Sequence, residues 1–292
     1  MLAGLGIMPT AMMRPFTARY IAGEELSDAI EKLRDLAGNG HAGILDILGE
    51  NVTDEADARA VLSEYTRAAA SLKENQLEAY VSVKPTHFGL SISKELSLEL
   101  YHELAKVCSE LGLFLRVEME DHPTTNATLE IFEALRKQHD NVGIVLQARL
   151  FRTAADIEKL APGPLNVRMV KGIYLEPTEI ALTGVEEIRR AFIELTEQLF
   201  DRGAYVSLAT HDDIMSVELE RIIRERKLGT DRYEFQVLLG VREALWSRWS
   251  RAGHPVRVYV PFGPEWRAYS LRRLSKNPEL LRAIVRNTFR RR

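Results

Sequence analysis

Eight times between residues 43 and 274 the sequence runs through a short apolar, β-branched segment and then an amphipathic one. A strand that is apolar at nearly every position is buried on both faces, as in a parallel sheet, and the helix after it supplies the crossover. The predicted strands are 43–49, 79–84, 113–120, 142–148, 165–172, 204–210, 233–239 and 256–260. The predicted helices are 54–71 (capped by Thr53 or Asp54), 93–111, 121–139, 154–160, 185–202, 213–226, 241–251 and 265–274. Eight such units favour a closed (β/α)8 barrel of the TIM type over an open doubly wound sheet. A length of 292 residues suits one such barrel. The units share no sequence self-similarity, so the repeat is architectural. A further helix, 24–36, is placed to close the barrel bottom, dividing the chain into an arm and helix (1–40) and a catalytic barrel (41–292).

Composition removes several function classes. With 28% charged residues and a net charge of −3, the chain is globular and offers no basic surface for nucleic acid. A single cysteine, Cys108, cannot form an intrachain disulfide, which suits a reducing compartment and a cytoplasmic location. Cys108 shares a helix face with Leu104 and Leu111 and reads as a buried thiol rather than a nucleophile. No apolar run approaches the ~18 residues of a membrane span. Residues 1–13 are mildly apolar but lack a basic start and contain Pro9, so no secretory signal is expected. Arg286, Arg290, Arg291 and Arg292 make the end basic: a solvated helix end, or weak attraction to an anionic membrane.

Chemistry in such barrels is built at the C-terminal strand ends, and here those ends are polar. Glu118, Gln147, Arg168 and Gln236 lie within or at the edge of apolar runs. A charge there costs several kcal/mol unless paired, on the order-of-magnitude penalty for desolvated ions. Opposite charges on converging strands therefore point to a ligand cleft. Lys84, Arg168, Lys171 and His211 suit a phosphorylated cofactor and an anionic substrate, and Gly172 permits close backbone approach. No GxGxxG segment links a strand to a helix, so a Rossmann site has no support. Arg272 and Arg273 follow the eighth strand, either as a solvated basic face or as a carboxylate grip.

The stretches Ser82-Val83-Lys84-Pro85-Thr86, 116–121, 143–148, 167–174, Ala209-Thr210-His211-Asp212, 233–240 and 257–273 together resemble the proline dehydrogenase family. The resemblance covers residues 19–278 and is nearest the short bacterial monofunctional type, because no aldehyde dehydrogenase region follows. It implies FAD, oxidation of L-proline to Δ1-pyrroline-5-carboxylate, and a membrane quinone as electron acceptor. It implies catalytic roles for Glu118 and Arg168. Substrate contacts fall on Lys84, Tyr174, Leu239, Tyr259, Tyr269, Arg272 and Arg273. Flavin contacts fall on Met119, Gln147, Arg168, Val170, Lys171, Gly172, Ile173, Thr210, His211 and Gln236. The family places its last helix over the strand ends, which would bring Arg272 and Arg273 into the cleft. The partners left open are a peripheral contact with the inner face of the cytoplasmic membrane and self-association into a homo-oligomer.

Three positions depart from the family pattern. Glu118 stands where the family usually has Asp, Ile173 where it has Ala, and Lys276 where many members carry a Glu. The longer Glu118 arm is still expected to pair with Lys84. On the residues alone, a metal-dependent TIM-barrel hydrolase is the alternative. Its candidate ligands are Glu118, Glu120, Asp121, His122, His211 and Asp212, but the first strand lacks a His-x-His pair. No residue stands out as the base that takes the substrate's amine proton.

Overall fold

The computed structural model describes residues 19–267. Eight parallel strands close into one barrel in sequence order, with the last bonded to the first. They are β1 (Ala42–Ile47), β2 (Ala79–Val83), β3 (Leu115–Val117), β4 (Val142–Gln147), β5 (Asn166–Val170), β6 (Tyr205–Ala209), β7 (Tyr233–Leu238) and β8 (Val256–Phe262). Helix α1 (Leu26–Gly38) precedes β1. The strands are joined through α2 (Glu55–Glu74), α3 (Lys94–Leu111), α4 (Thr125–Leu135), α5 (Thr153–Lys159), α6 (Val185–Asp201), α7 (Asp213–Glu225) and α8 (Glu243–Arg251).

Local chemistry sets these boundaries. Asp54 accepts from the Ala56 and Asp57 amides and starts α2, and Ser93 accepts from Leu96 and starts α3. Gly112, in the left-handed region at φ 69°, ends α3 where a Cβ would be strained. Several predicted edges moved, two of them for a visible reason. β3 stops at Val117: the Glu118 amide still donates to the Val83 carbonyl at 2.9 Å, but Glu120 has left the ladder, its carbonyl accepting from Gln147 Nε2 at 2.7 Å and its carboxylate from Thr86. β8 runs two residues further than Val260, through Pro261. At that level β7 has ended, no ladder needs the missing proline N–H, and the Pro261 carbonyl accepts from Ala22 at 2.9 Å.

Helix α1 does not close the barrel bottom. Ala22 bonds to Pro261, and Gly263 N–H donates to the Gly23 carbonyl at 3.0 Å, so the chain enters α1 beside the C-terminal end of β8. The helix then packs Leu33 onto Gly43 of β1, where a Cβ would fall 2.1 Å from Leu33 Cδ2. It thus covers the β8–β1 seam from outside. The apolar core lies in this outer layer, between strands and helices, with Leu33, Leu45, Tyr65, Leu104 and Trp249 among its buried members.

Candidate active site

Side chains alternate along a strand, so every second residue faces the lumen. The polar inward set includes Asp46 on β1, Tyr80 and Ser82 on β2, Arg116 on β3 with Glu118 just past it, Arg168 on β5, Ser207 on β6, Glu234 and Gln236 on β7, and Arg257 and Tyr259 on β8. Contacts between non-adjacent strands fix that orientation. Arg168 Nη1 donates to Glu118 across the lumen, Arg168 Nε donates to Gln236 Oε1 at 2.6 Å, and its guanidinium lies 5.3 Å from the Tyr259 ring centre. Ser82 Oγ donates to the same Glu118 oxygen. Gln236 Nε2 donates to Tyr80 at 2.7 Å and to Glu234, and Arg257 Nε donates to Glu234 at 2.8 Å. The lumen is thus filled by a continuous polar network whose members are nearly all buried.

Two buried carboxylates in this network lie in opposite environments. Burial alone would raise the Glu118 carboxyl, but the Arg168 guanidinium and hydrogen bonds from Ser82 and Arg168 hold it below its ordinary value. Arg168 is itself held firmly protonated: burial works against its charge, but Glu118, Tyr80 and Tyr259 together outweigh it. Burial pushes Asp46 up to about 6, only partly offset by Lys84. Lys84 Nζ lies 3.4 Å from both Asp46 oxygens, long for a charge-assisted bond. The expected Glu118–Lys84 partnership is therefore replaced by Glu118–Arg168 and Lys84–Asp46, with Lys84 acting on Glu118 only through its field.

Around the rim, Thr210, Met119 and Leu239 are buried, while Val170, Lys171, Gly172, Tyr174, His211 and Tyr259 are half-buried. Burial pushes the Tyr174 phenol up, and its carbonyl accepts from Arg149 Nη1. Ile173 is 71% exposed. The Leu238 amide donates to His211 Nε2 at 2.9 Å, which fixes the ring and leaves the proton of the neutral imidazole on Nδ1. Lys171 and Arg189 both donate to Asp212, which also caps α7. Tyr269, Arg272, Arg273 and the departure at Lys276 lie outside the described residues, as do the segment expected to cover the strand ends and the C-terminal arginines.

Two features at the ends of β4 and β5 bear on what the site could bind. Gln147 Oε1 is buried and has no hydrogen-bond partner among the described residues. Gly172 sits at φ 99°, and a Cβ there would come 2.8 Å from that oxygen and 2.7 Å from Arg149 Cδ. A buried polar atom without a partner beside a residue that has no room for a side chain fits a bound hydrogen-bonding ring system. Four of the six hydrolase candidates are committed elsewhere: Glu118 to Arg168, Glu120 to Thr86, His122 to Glu176, and Asp212 to Lys171 and Arg189. No group of three or more His, Cys, Asp or Glu gathers as metal ligands among the described residues. No helix among them is long and apolar enough to cross a membrane.

Sequence reading passed over Asp46, Tyr80, Ser82, Glu234 and Arg257 as site members. The signal was present: each occupies an inward register, and Asp46 interrupts an otherwise apolar first strand.

The proline dehydrogenase family model matches residues 29–282. "Proline dehydrogenase 1" of Bacillus subtilis subsp. natto is 31% identical over 260 residues, covering 89% of this chain and 86% of that protein. "Proline dehydrogenase" of Deinococcus radiodurans is 32% identical over 272 residues, covering 91% and 88%. Among solved structures, proline utilization A (PutA) from Bdellovibrio bacteriovorus, inactivated by N-propargylglycine, superposes with a TM-score of 0.84 at 22% identity. That match covers 92% of this chain and 34% of the longer one, and it establishes a shared fold.

Proposed function

Because the chain belongs to the proline dehydrogenase family of oxidoreductases of proline catabolism, we propose that it uses FAD to oxidise L-proline to Δ1-pyrroline-5-carboxylate, with electrons passing to a membrane quinone. The observation that carries this reading is the Gln147–Gly172 cradle beside the Arg168–Glu118 pair. When bound, the flavin supplies the electron sink for the hydrogen, with its electron pair, that leaves the ring carbon next to nitrogen. Residues Met119, Gln147, Val170, Lys171, Gly172, Ile173, Thr210, His211 and Gln236 would hold it. Arg168 sets a fixed positive charge where negative charge develops, and Glu118 keeps that guanidinium in place.

Lys84, Arg272 and Arg273 would bind the substrate carboxylate, while Tyr174, Leu239, Tyr259 and Tyr269 wall in the ring. Contact with the inner face of the cytoplasmic membrane and a homo-oligomeric state belong to the same reading. The test is an absorbance spectrum taken anaerobically before and after L-proline. The purified protein should be yellow, bleach with proline, and release its chromophore on acid precipitation. A flavin-loaded protein that proline does not bleach, or a colourless one that takes up no FAD, overturns the reading.

A further inference from the structure

The amine of a zwitterionic proline carries a proton that must leave before nitrogen can offer its electron pair to the neighbouring carbon. We propose that Asp46, acting through Lys84, takes that proton. The inference rests on the proline-oxidation reading above.

Of the buried carboxylates near Lys84, Glu120 is bonded through both oxygens to Thr86, and Glu118 is unsuited to this work. Its oxygen accepts from both Arg168 and Ser82, so it is committed to a cation and held ionised. Asp46 differs: Tyr259 and Lys84 both bond to it, yet burial keeps its carboxyl raised. It is fully buried, its resolved cation is Lys84 at 3.4 Å from either oxygen, and that contact is long. Burial leaves its carboxyl near 6, close to the range in which a group can both take and give up a proton. Two carboxylates whose surroundings drive their proton affinities apart divide the labour of holding charge and moving protons.

The groups facing Asp46 come from every element around it: Lys84 beyond β2, Glu118 beyond β3, Tyr259 on β8, and the Tyr65 and Tyr101 hydroxyls of α2 and α3. Tyr65 already donates to the Ser82 carbonyl and Tyr101 to the Val83 carbonyl, so neither is poised to compete. Lys84 keeps 14% of its side chain accessible at the mouth, whereas Asp46 keeps 1%. The lysine is therefore the member of the pair that a substrate reaches.

In the step, a Lys84 N–H bond breaks first and an O–H bond forms on Asp46, which frees the electron pair of the lysine amine. An N–H bond of the substrate ammonium then breaks and its proton joins that amine. The substrate becomes a neutral amine, Lys84 remains an ammonium, Asp46 becomes neutral, and nothing is oxidised or reduced. Asp46 is thus a positioning residue for Lys84 as well as the store for the proton.

The holoenzyme tests this in two ways. First, the anaerobic rate of flavin bleaching by L-proline is followed from about pH 5 to about pH 8. The parent should slow as pH falls through about 6, as Asp46 becomes protonated. Asp46→Asn should be slower by roughly 10²–10⁴ and should lose that acid limb, and Asp46→Glu should restore it. Second, infrared difference spectra of the protein, with and without proline, should show a protonated-carboxyl band that is missing in Asp46→Asn. An Asp46→Asn variant that keeps the parent's acid limb, however slow, overturns the proposal. If that variant does not fold, a parent profile that is flat across the same range overturns it equally. A protein that proline never bleaches fails the parent reading instead, and the infrared pH titration of Asp46 then stands as the separate measurement.

Discussion

Arg168 and Glu118 are buried together, and neither would be tolerated alone in the lumen. Their hydrogen bond satisfies two charges that are expensive to desolvate, with Ser82 and Gln236 taking up remaining valences. Arg168→Met should therefore act twice. It leaves Glu118 as a buried charge without a cation, at a cost of about 3–5 kcal/mol, readable as a lowered urea midpoint. In protein that still loads flavin, bleaching by proline should slow by roughly 10²–10³. Unchanged bleaching in a loaded, folded variant would remove Arg168 from the chemistry. Gly172 makes a complementary case. At φ 99°, with Gln147 Oε1 and Arg149 Cδ within 3 Å of any added Cβ, Gly172→Ala both strains the backbone and fills the cradle. It should purify with parent-like circular dichroism but with little flavin; a fully yellow Gly172→Ala protein would show that the cradle lies elsewhere.

At the scale of elements, α1 and α7 each do more than cover a strand. Helix α1 seals the β8–β1 seam through Leu33 on Gly43, and truncating that buried side chain leaves a cavity no neighbour can fill. Leu33→Ala should cost about 2–5 kcal/mol, measured by urea unfolding, and it should do so without altering proline affinity. Helix α7 is capped by Asp212, whose other oxygen receives Lys171 and Arg189. Burial works to raise this carboxyl, but the hydrogen bonds from Lys171 and Arg189 bring it down to about 2. A carboxyl held below its unfolded value adds stability above that value and loses it as pH falls through the folded one. The parent should thus lose stability between about pH 4 and about pH 2 more steeply than Asp212→Asn, whose side chain does not titrate. Parallel thermal unfolding curves for the two proteins across that window would exclude the role.

For the whole molecule, a closed barrel with a polar lumen has an unusual division of forces. The apolar core lies between strands and helices, whereas the interior is held by hydrogen bonds and ion pairs that end at the site. A ligand that completes those bonds should stabilise the entire cooperative unit. Flavin at 100 times its dissociation constant contributes about 2.7 kcal/mol. For a domain of this size that amounts to an increase in melting temperature of roughly 5–10 °C. Differential scanning of flavin-stripped protein with and without added FAD measures it, and an unchanged transition would separate the cofactor from this lumen.

The strand–helix alternation, most helix ends and the parallel sheet were legible in the sequence because each depends on neighbours within a few residues: Asp54 and Ser93 cap their own helices, and apolar runs declare burial on both faces. Glu118, Arg168 and Gln236 were legible for a related reason, since a polar residue in an apolar run must find a partner. Which partner it finds was not. Lys84 meets Asp46 across 38 residues and Arg168 meets Glu118 across 50, and only closure of the barrel sets those distances. The same holds for α1, whose amphipathic pattern announced a helix but not the seam it covers, and for Pro261, which extends β8 only because β7 has already ended. Local periodicity specifies the pieces; long-range register, a property of the closed sheet, decides which charges share the lumen.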